Sequence, residues 1–144
     1  MSESGVTKET RLHHVGFVLR DILSQISHFA VSLGAEWDGR IFSDPYQKVR
    51  VAFLRTTNKA DALMELVEPE GAGSPVLQFL ERGGGLHHVC YEVGDIASQL
   101  EQMRSRGAVI VRRPLPAVAF ENRRVAWVLT KEKLLIEFLE CRNI

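Results

Sequence analysis

The segment LHHVGFVLRDI, Leu12 to Ile22, returns 74 residues later as LHHVCYEVGDI, Leu86 to Ile96. Six of the eleven positions are identical, both histidines among them. The two copies then stay in step. SLGAEW around Gly34 is answered by SRGAVI around Gly107, and RVAFLRT from Arg50 by RVAWVLT from Arg124. LMELVE from Leu63 is answered by LIEFLE from Leu135 at a spacing of 72. A period of about 73 used only twice is too long and too few for a solenoid, so it reads as a duplicated module.

Each module parses into the same elements. Leu12–Leu19 and Leu86–Val93 read as half-buried strands. Asp21 and Asp95 then stand where a helix N-cap belongs. Ile22, Ile26, Phe29, Ala30 and Leu33 follow at helical spacing, as do Ile96, Leu100 and Met103, and Gly34 and Gly107 sit where helix C-termini close. Three strands are expected after each helix: Trp37–Phe42, Val49–Arg55 and Ala62–Glu68, then Val109–Arg112, Arg124–Thr130 and Leu134–Leu139. The pattern is βαβββ twice, with module one at about 10–70 and module two at about 85–141. GAGSPVLQFLERGGG joins them as a linker helix over about 74–82, Ser74 capping it and Pro75 opening it.

Composition bounds the function. At 144 residues the chain is expected to be one domain, 45% apolar and 25% charged, with 18 basic and 18 acidic side chains. That balance speaks against nucleic acid and membrane surfaces as partners. No apolar run approaches the roughly 18 residues of a membrane span, and the opening MSESGVTKETR is polar rather than signal-like. Cys90 and Cys141 lack metal-finger spacing, so both are expected as reduced thiols in a cytoplasmic protein.

Some polar residues stand where strands should be apolar. Neighbours in a strand point to opposite faces, so His13 is expected with Val15, Phe17 and Leu19 under the helices, and His87 likewise with Val89, Tyr91 and Val93. His14 shares its face with Gly16 and Val18, and His88 with Cys90 and Glu92. Those smaller neighbours leave room for a cavity. Glu65 and Glu137 lie inside apolar strands, where an unpaired buried carboxylate is very costly. Glu68 and Glu140 fall at strand ends and are expected to be solvated. One histidine and one glutamate from each module make a duplicated half-site, a donor set suited to one divalent ion from manganese through cobalt and nickel to zinc.

LHHVGFVL, ALMELVEP, GGGLHHVCYEVGDI and LLIEFLE resemble the vicinal oxygen chelate superfamily, which groups glyoxalase I, methylmalonyl-CoA epimerase, extradiol dioxygenases and antibiotic-resistance proteins. The likeness spans Leu12 to Glu140 and is strongest to the epimerase branch. It implies an α+β fold, two βαβββ modules curling an eight-stranded mixed sheet into an open cup around a metal. The implied ligands are His14, Glu65, His88 and Glu137. The implied chemistry is movement of the proton beside a thioester or other carbonyl through a stabilised enolate, with Glu137 as one base.

A second acid–base group belongs on the strand QKVRVAFL, which carries no carboxylate. Glu92 and Glu121 are substitutes that no family motif supports. Arg50 and Arg124 occupy equivalent positions, either as duplicated structural residues or as contacts to an anionic substrate. Lys48, Arg123 and Arg124 are candidates for coenzyme A phosphates. The leading expectation is an epimerase acting on a small-molecule substrate such as an acyl-CoA, working as a homodimer. A glyoxalase I-type lactoylglutathione lyase and a non-catalytic binder are the alternatives. A dioxygenase would use two histidines and one glutamate and leave Glu65 without a role.

Overall fold

Alternating and helical stretches fall where the duplication places them. The structure, a computed structural model, describes residues 10–142. Module one runs β1 (Arg11–Val18), α1 (Ile22–Leu33), β2 (Ala35–Trp37), β3 (Phe42–Asp44), β4 (Val49–Thr56) and β5 (Leu63–Pro69). A short helix α2 (Leu77–Glu81) leads to module two. This contains β6 (Gly85–Val93), α3 (Ile96–Ser105), β7 (Val109–Pro116), a 3-10 turn (Val118–Phe120), β8 (Arg124–Leu129) and β9 (Leu135–Glu140). The polar opening lies mostly outside the described residues, in 1–9. Among the described residues no helix is long and apolar enough to cross a membrane.

The strands form one open mixed sheet in the order β2-β4-β5-β1-β6-β9-β8-β7, with β3 paired to β4 beside β2. β1 runs parallel to β5 and β6 parallel to β9, while β1 and β6 meet antiparallel and join the modules at the centre. Each strand sends alternate side chains to opposite faces. Ala52, Leu54 and Leu66 go to α1 with Ile22 and Ile26, and Ala126, Val128, Ile136 and Phe138 go to α3 with Ile96 and Leu100. The opposite face carries Val49, Val51 and Val67 from one module and Cys90, Val125 and Leu139 from the other.

The α+β cup is as expected, and the described residues count nine strands because one expected strand is divided. The stretch Trp37–Phe42 is not one strand. Asp38 turns the chain by accepting from the Arg40 backbone N–H at 3.0 Å and from Arg40 Nε at 2.9 Å. The flanking pieces become β2 and β3. The linker helix also begins later than Pro75, at Leu77, because Ser74–Val76 forms a turn closed by Leu77 N–H on the Ser74 carbonyl at 3.2 Å. β7 continues past Arg112 through Pro114 to Pro116. Two residues without an amide donor are tolerated there because β7 is an edge strand with register shifts.

Candidate metal centre

The four central strands each deliver one polar side chain to the same point. β5 carries Glu65, β1 His14, β6 His88 and β9 Glu137. Strand register makes this convergence possible: Gly16 lies opposite both Glu65 and His88, and Cys90 lies beside Glu137 and opposite His14. All four side chains are buried, His14 completely.

Their atoms are close. His14 Nε2 lies 3.2 Å from Glu65 Oε1 and 3.1 Å from Glu137 Oε1. His88 Nε2 lies 3.2 Å and 3.4 Å from the same two oxygens. The two Nε2 atoms are 3.3 Å apart. A ring nitrogen carries at most one hydrogen, so these contacts cannot all be hydrogen bonds at once. One cation satisfies every donor together. Edges of this length suit ligand atoms about 2.0–2.2 Å from a common centre, and two imidazoles with two carboxylates form a borderline-hard donor set. The residues therefore fit a divalent transition metal.

The electrostatics are those of a compensated cluster. Burial opposes the charged form of His14 most strongly, but Glu65, Cys90 and Glu137 together outweigh it and hold the imidazole well above its ordinary value. His88 is likewise raised: burial is outweighed by its bonds to Glu137 and Glu65. Burial would raise both glutamates, yet the histidines pull Glu65 and Glu137 below the usual carboxylate range. Burial, then the Glu137 charge, pushes the Cys90 thiol up to about 12, so it is a neutral thiol.

The partner histidines are not where strict alternation puts them. Phe17, Val89 and Tyr91 do pack toward the helices, but His13 and His87 do not follow them. His13 Nδ1 lies 2.9 Å from His14 Nδ1, and both rings touch Phe120. His87 Nδ1 lies 2.9 Å from His88 Nδ1, and both rings touch Trp127. The physical reason lies in the β1–β6 ladder. It shifts register between Leu12 and His14 and again where Phe17 pairs with Leu86 and Gly16 with His88. His13 and His87 are the extra residues of two bulges, and a bulge re-aims a side chain.

Surroundings differ between His14 and His88. His14 is enclosed by Phe53, Phe120 and Cys90. His88 instead opens, with Glu65 and Glu137, into a cavity of about 370 Å³. Its walls are largely apolar, with Val49, Val51, Val67, Val76, Trp127 and Leu135 prominent. Asp44 and Arg112 add charge to the lining. Asp44 is buried, and its carboxylate accepts from the backbone amides of Tyr46, Gln47 and Val118 and from Gln47 Nε2. Gln47 Oε1 in turn accepts from Trp127 Nε1 at 2.9 Å, and Arg112 Nη2 donates to the Tyr46 carbonyl at 2.8 Å. Sequence reasoning missed Asp44 and Arg112. The Asp-Pro pair ahead of β4 was the one local signal for Asp44.

Other candidates lie elsewhere. Arg50 and Arg124 are not in the cavity lining; they pair with Glu68 and Glu140. Glu68 is not solvated as expected but buried, because Arg50 Nε and the Ile22 backbone N–H both donate to it. Glu92 is held by Arg11 and Arg123, and Glu121 pairs with Arg142 on the surface. Of the proposed phosphate contacts, Arg123 and Arg124 are thus engaged by acids.

Comparison with known proteins agrees with this architecture. Residues 13–127 match the model of the Glyoxalase/Bleomycin resistance protein/Dioxygenase superfamily. An ethylmalonyl-CoA/methylmalonyl-CoA epimerase of Cereibacter sphaeroides is 32% identical over 85% of this chain and 90% of its own. The mitochondrial methylmalonyl-CoA epimerase of Mus musculus is 33% identical over 72% of this chain and 57% of its own. The crystal structure of methylmalonyl-CoA epimerase from Mycobacterium tuberculosis superposes with a TM-score of 0.80 at 25% identity, covering 99% of this chain and 94% of that one. Nothing in these relatives favours the lyase reading.

Proposed function

The chain belongs to the glyoxalase/bleomycin resistance protein/dioxygenase superfamily, and on that premise we propose that it is a metal-dependent epimerase of methylmalonyl-type acyl-coenzyme A thioesters. The observation that carries this reading is the convergence of four buried ligand atoms, one per central strand, at the end of an apolar cavity. The similarity to epimerases in name and fold supports the substrate class.

His14, Glu65, His88 and Glu137 would hold the ion. A divalent ion there supplies Lewis acidity, which favours loss of a proton from a carbon beside a carbonyl. The chain's own groups do the rest. Val49, Val51, Val67 and Val76 keep water from the reacting carbon, which strengthens electrostatic effects in the cavity. Both imidazole contacts of Glu137 use Oε1, so Oε2 is the oxygen assigned to take the proton. Glu65 also faces its histidines with Oε1, and its Oε2 is the equivalent oxygen of the other module. Asp44 already accepts four N–H donors, so its role is to brace the cavity wall. Arg112, on the cavity lining, is the group assigned to the free carboxylate of the substrate. The same reading includes the homodimer common in this superfamily and a cytoplasmic setting that suits two unpaired cysteines.

The test is exchange in deuterium oxide. Metal-loaded protein should incorporate deuterium at the α-carbon of methylmalonyl-CoA, and chelation or Glu137→Gln should abolish this. An inert loaded protein would sink the proposal. Turnover of the methylglyoxal–glutathione hemithioacetal alone would move it to the lyase class.

A further inference from the structure

The duplicated His-His pairs contain two histidines that the chemistry above does not use. They are the extra residues of two bulges, one on β1 and one on β6, at equivalent places in the two modules. A bulge costs ladder pairing, and this ladder carries it twice at the same point. In both modules the result is the same contact, Nδ1 to Nδ1 at 2.9 Å between adjacent rings. In both, the two rings then share one aromatic wall, Phe120 for one pair and Trp127 for the other.

An imidazole that offers Nε2 to a metal carries its hydrogen on Nδ1, and that hydrogen needs an acceptor fixed in space. A backbone carbonyl or carboxylate usually fills this role. Here the atom at hydrogen-bond distance is the Nδ1 of the preceding histidine.

We propose that His13 and His87 are positioning residues: each accepts a hydrogen bond at its Nδ1 from the Nδ1–H of His14 or His88, fixing the tautomer and ring orientation that present Nε2 to the ion. The inference rests on the metal reading above. It assigns His13 and His87 the Nε2–H tautomer and makes the second histidine of each pair a ligand only in company with the first. It also accounts for the bulges, because with regular alternation the two rings would point to opposite faces of the sheet.

Zinc is the probe. Competition with a chromophoric chelator should show His13→Leu and His87→Leu binding zinc ten- to a hundredfold more weakly than wild type. His13→Asn and His87→Asn, which put an acceptor oxygen near the lost Nδ1, should stay within about threefold of wild type, as expected for restored ligand orientation. Nitrogen-15 spectra of zinc-loaded wild-type protein need no variant to fold. They should show His13 and His87 unprotonated at Nδ1, with His14 and His88 protonated there. A protonated Nδ1 on His13 or His87 overturns the proposal, as do leucine and asparagine variants that bind zinc alike. Wild-type protein that takes up no zinc overturns the metal reading and this proposal together. Wild-type uptake with unchanged leucine variants overturns the proposal alone.

Discussion

Module one and module two fill equivalent positions with different neighbours. Asp21 and Asp95 precede the helices α1 and α3, yet only Asp95 caps its helix, accepting from the Ser98 backbone N–H at 3.0 Å. On α1 the orphan amide of Ile22 is satisfied from outside, by Glu68 at 2.6 Å. The counterpart of Glu68, Glu140, is one-third exposed and turned to Arg124. At the proposed metal centre, Gly16 in one module answers Cys90 in the other. The His88 ring crosses directly over Gly16, whereas Cys90 packs against His14. Duplication thus supplied the four matching polar groups, and divergence around them made one side open and the other closed. A polar group is satisfied by whichever partner reaches it first, so equal positions do not guarantee equal bonds.

The Gly16–Cys90 difference is the most sensitive to a single atom. A Cβ on Gly16 would lie 2.0 Å from His88 Cε1 and 2.4 Å from Nδ1, inside the ring's own space. Gly16→Ala should therefore expel a proposed ligand. Metal affinity is expected to fall at least about a hundredfold, with an overpacking cost of about 1–3 kcal/mol in urea unfolding. Cys90→Ala only trims an atom beside His14. It should cost about 1 kcal/mol and leave metal affinity within a few-fold. If both substitutions weaken metal binding equally, the open and closed sides are not distinct.

The buried acid comes next. Glu68→Ala removes the acceptor of a helix-terminal amide and the partner of Arg50 in one step. Leaving a buried N–H unsatisfied while breaking a charge-assisted bond should cost about 2–3 kcal/mol. Glu140→Ala breaks a screened surface pair and should cost about 0.5 kcal/mol. Chemical denaturation of the two variants decides the matter, and equal losses would erase the contrast between the modules.

Much of this was legible from the duplication. It placed seven of the eight expected strands and both long helices, and it paired His14 with His88 and Glu65 with Glu137 because each strand position recurs. Period-two alternation then failed at one point, the bulges, since strand-pair irregularities depend on the partner strand rather than on local pattern. Glu68 was misjudged for a related reason. A terminal position on a strand looks wet until a helix start from another segment is laid against it. Asp44 and Arg112 belong to a cavity wall assembled from both modules, and apart from the Asp-Pro pair at Asp44 no local pattern marks such a wall. The Asp38 turn that splits Trp37–Phe42 was readable in WDGR, where Asp-Gly marks a turn.

The cap comparison carries the smallest effect and isolates one bond. Asp21 and Asp95 have the same extended backbone, with φ of −147° and −132°, so each is shaped for an N-cap. Only the second uses its carboxylate, and the first turn of α3 holds no other acidic residue. Asp95→Ala should cost about 1 kcal/mol, the usual worth of an N-cap side chain. Asp21→Ala should cost no more than about 0.3 kcal/mol, the residue of a weak dipole interaction, because the Asp21 carboxylate makes no cap hydrogen bond. The difference becomes a true test when Glu68→Ala is the background. With the Glu68 carboxylate gone, its repulsion no longer holds the Asp21 carboxylate off the Leu23 and Ser24 amides, the ones an N-cap side chain reaches, and Asp21→Ala should then cost close to what Asp95→Ala costs alone. A double-mutant cycle by thermal or urea unfolding reads this coupling directly. Additive losses would mean that Asp21 cannot turn to the helix even when the Glu68 carboxylate is gone. The two modules would then differ in backbone geometry at the helix start, and not merely in which acid arrives there.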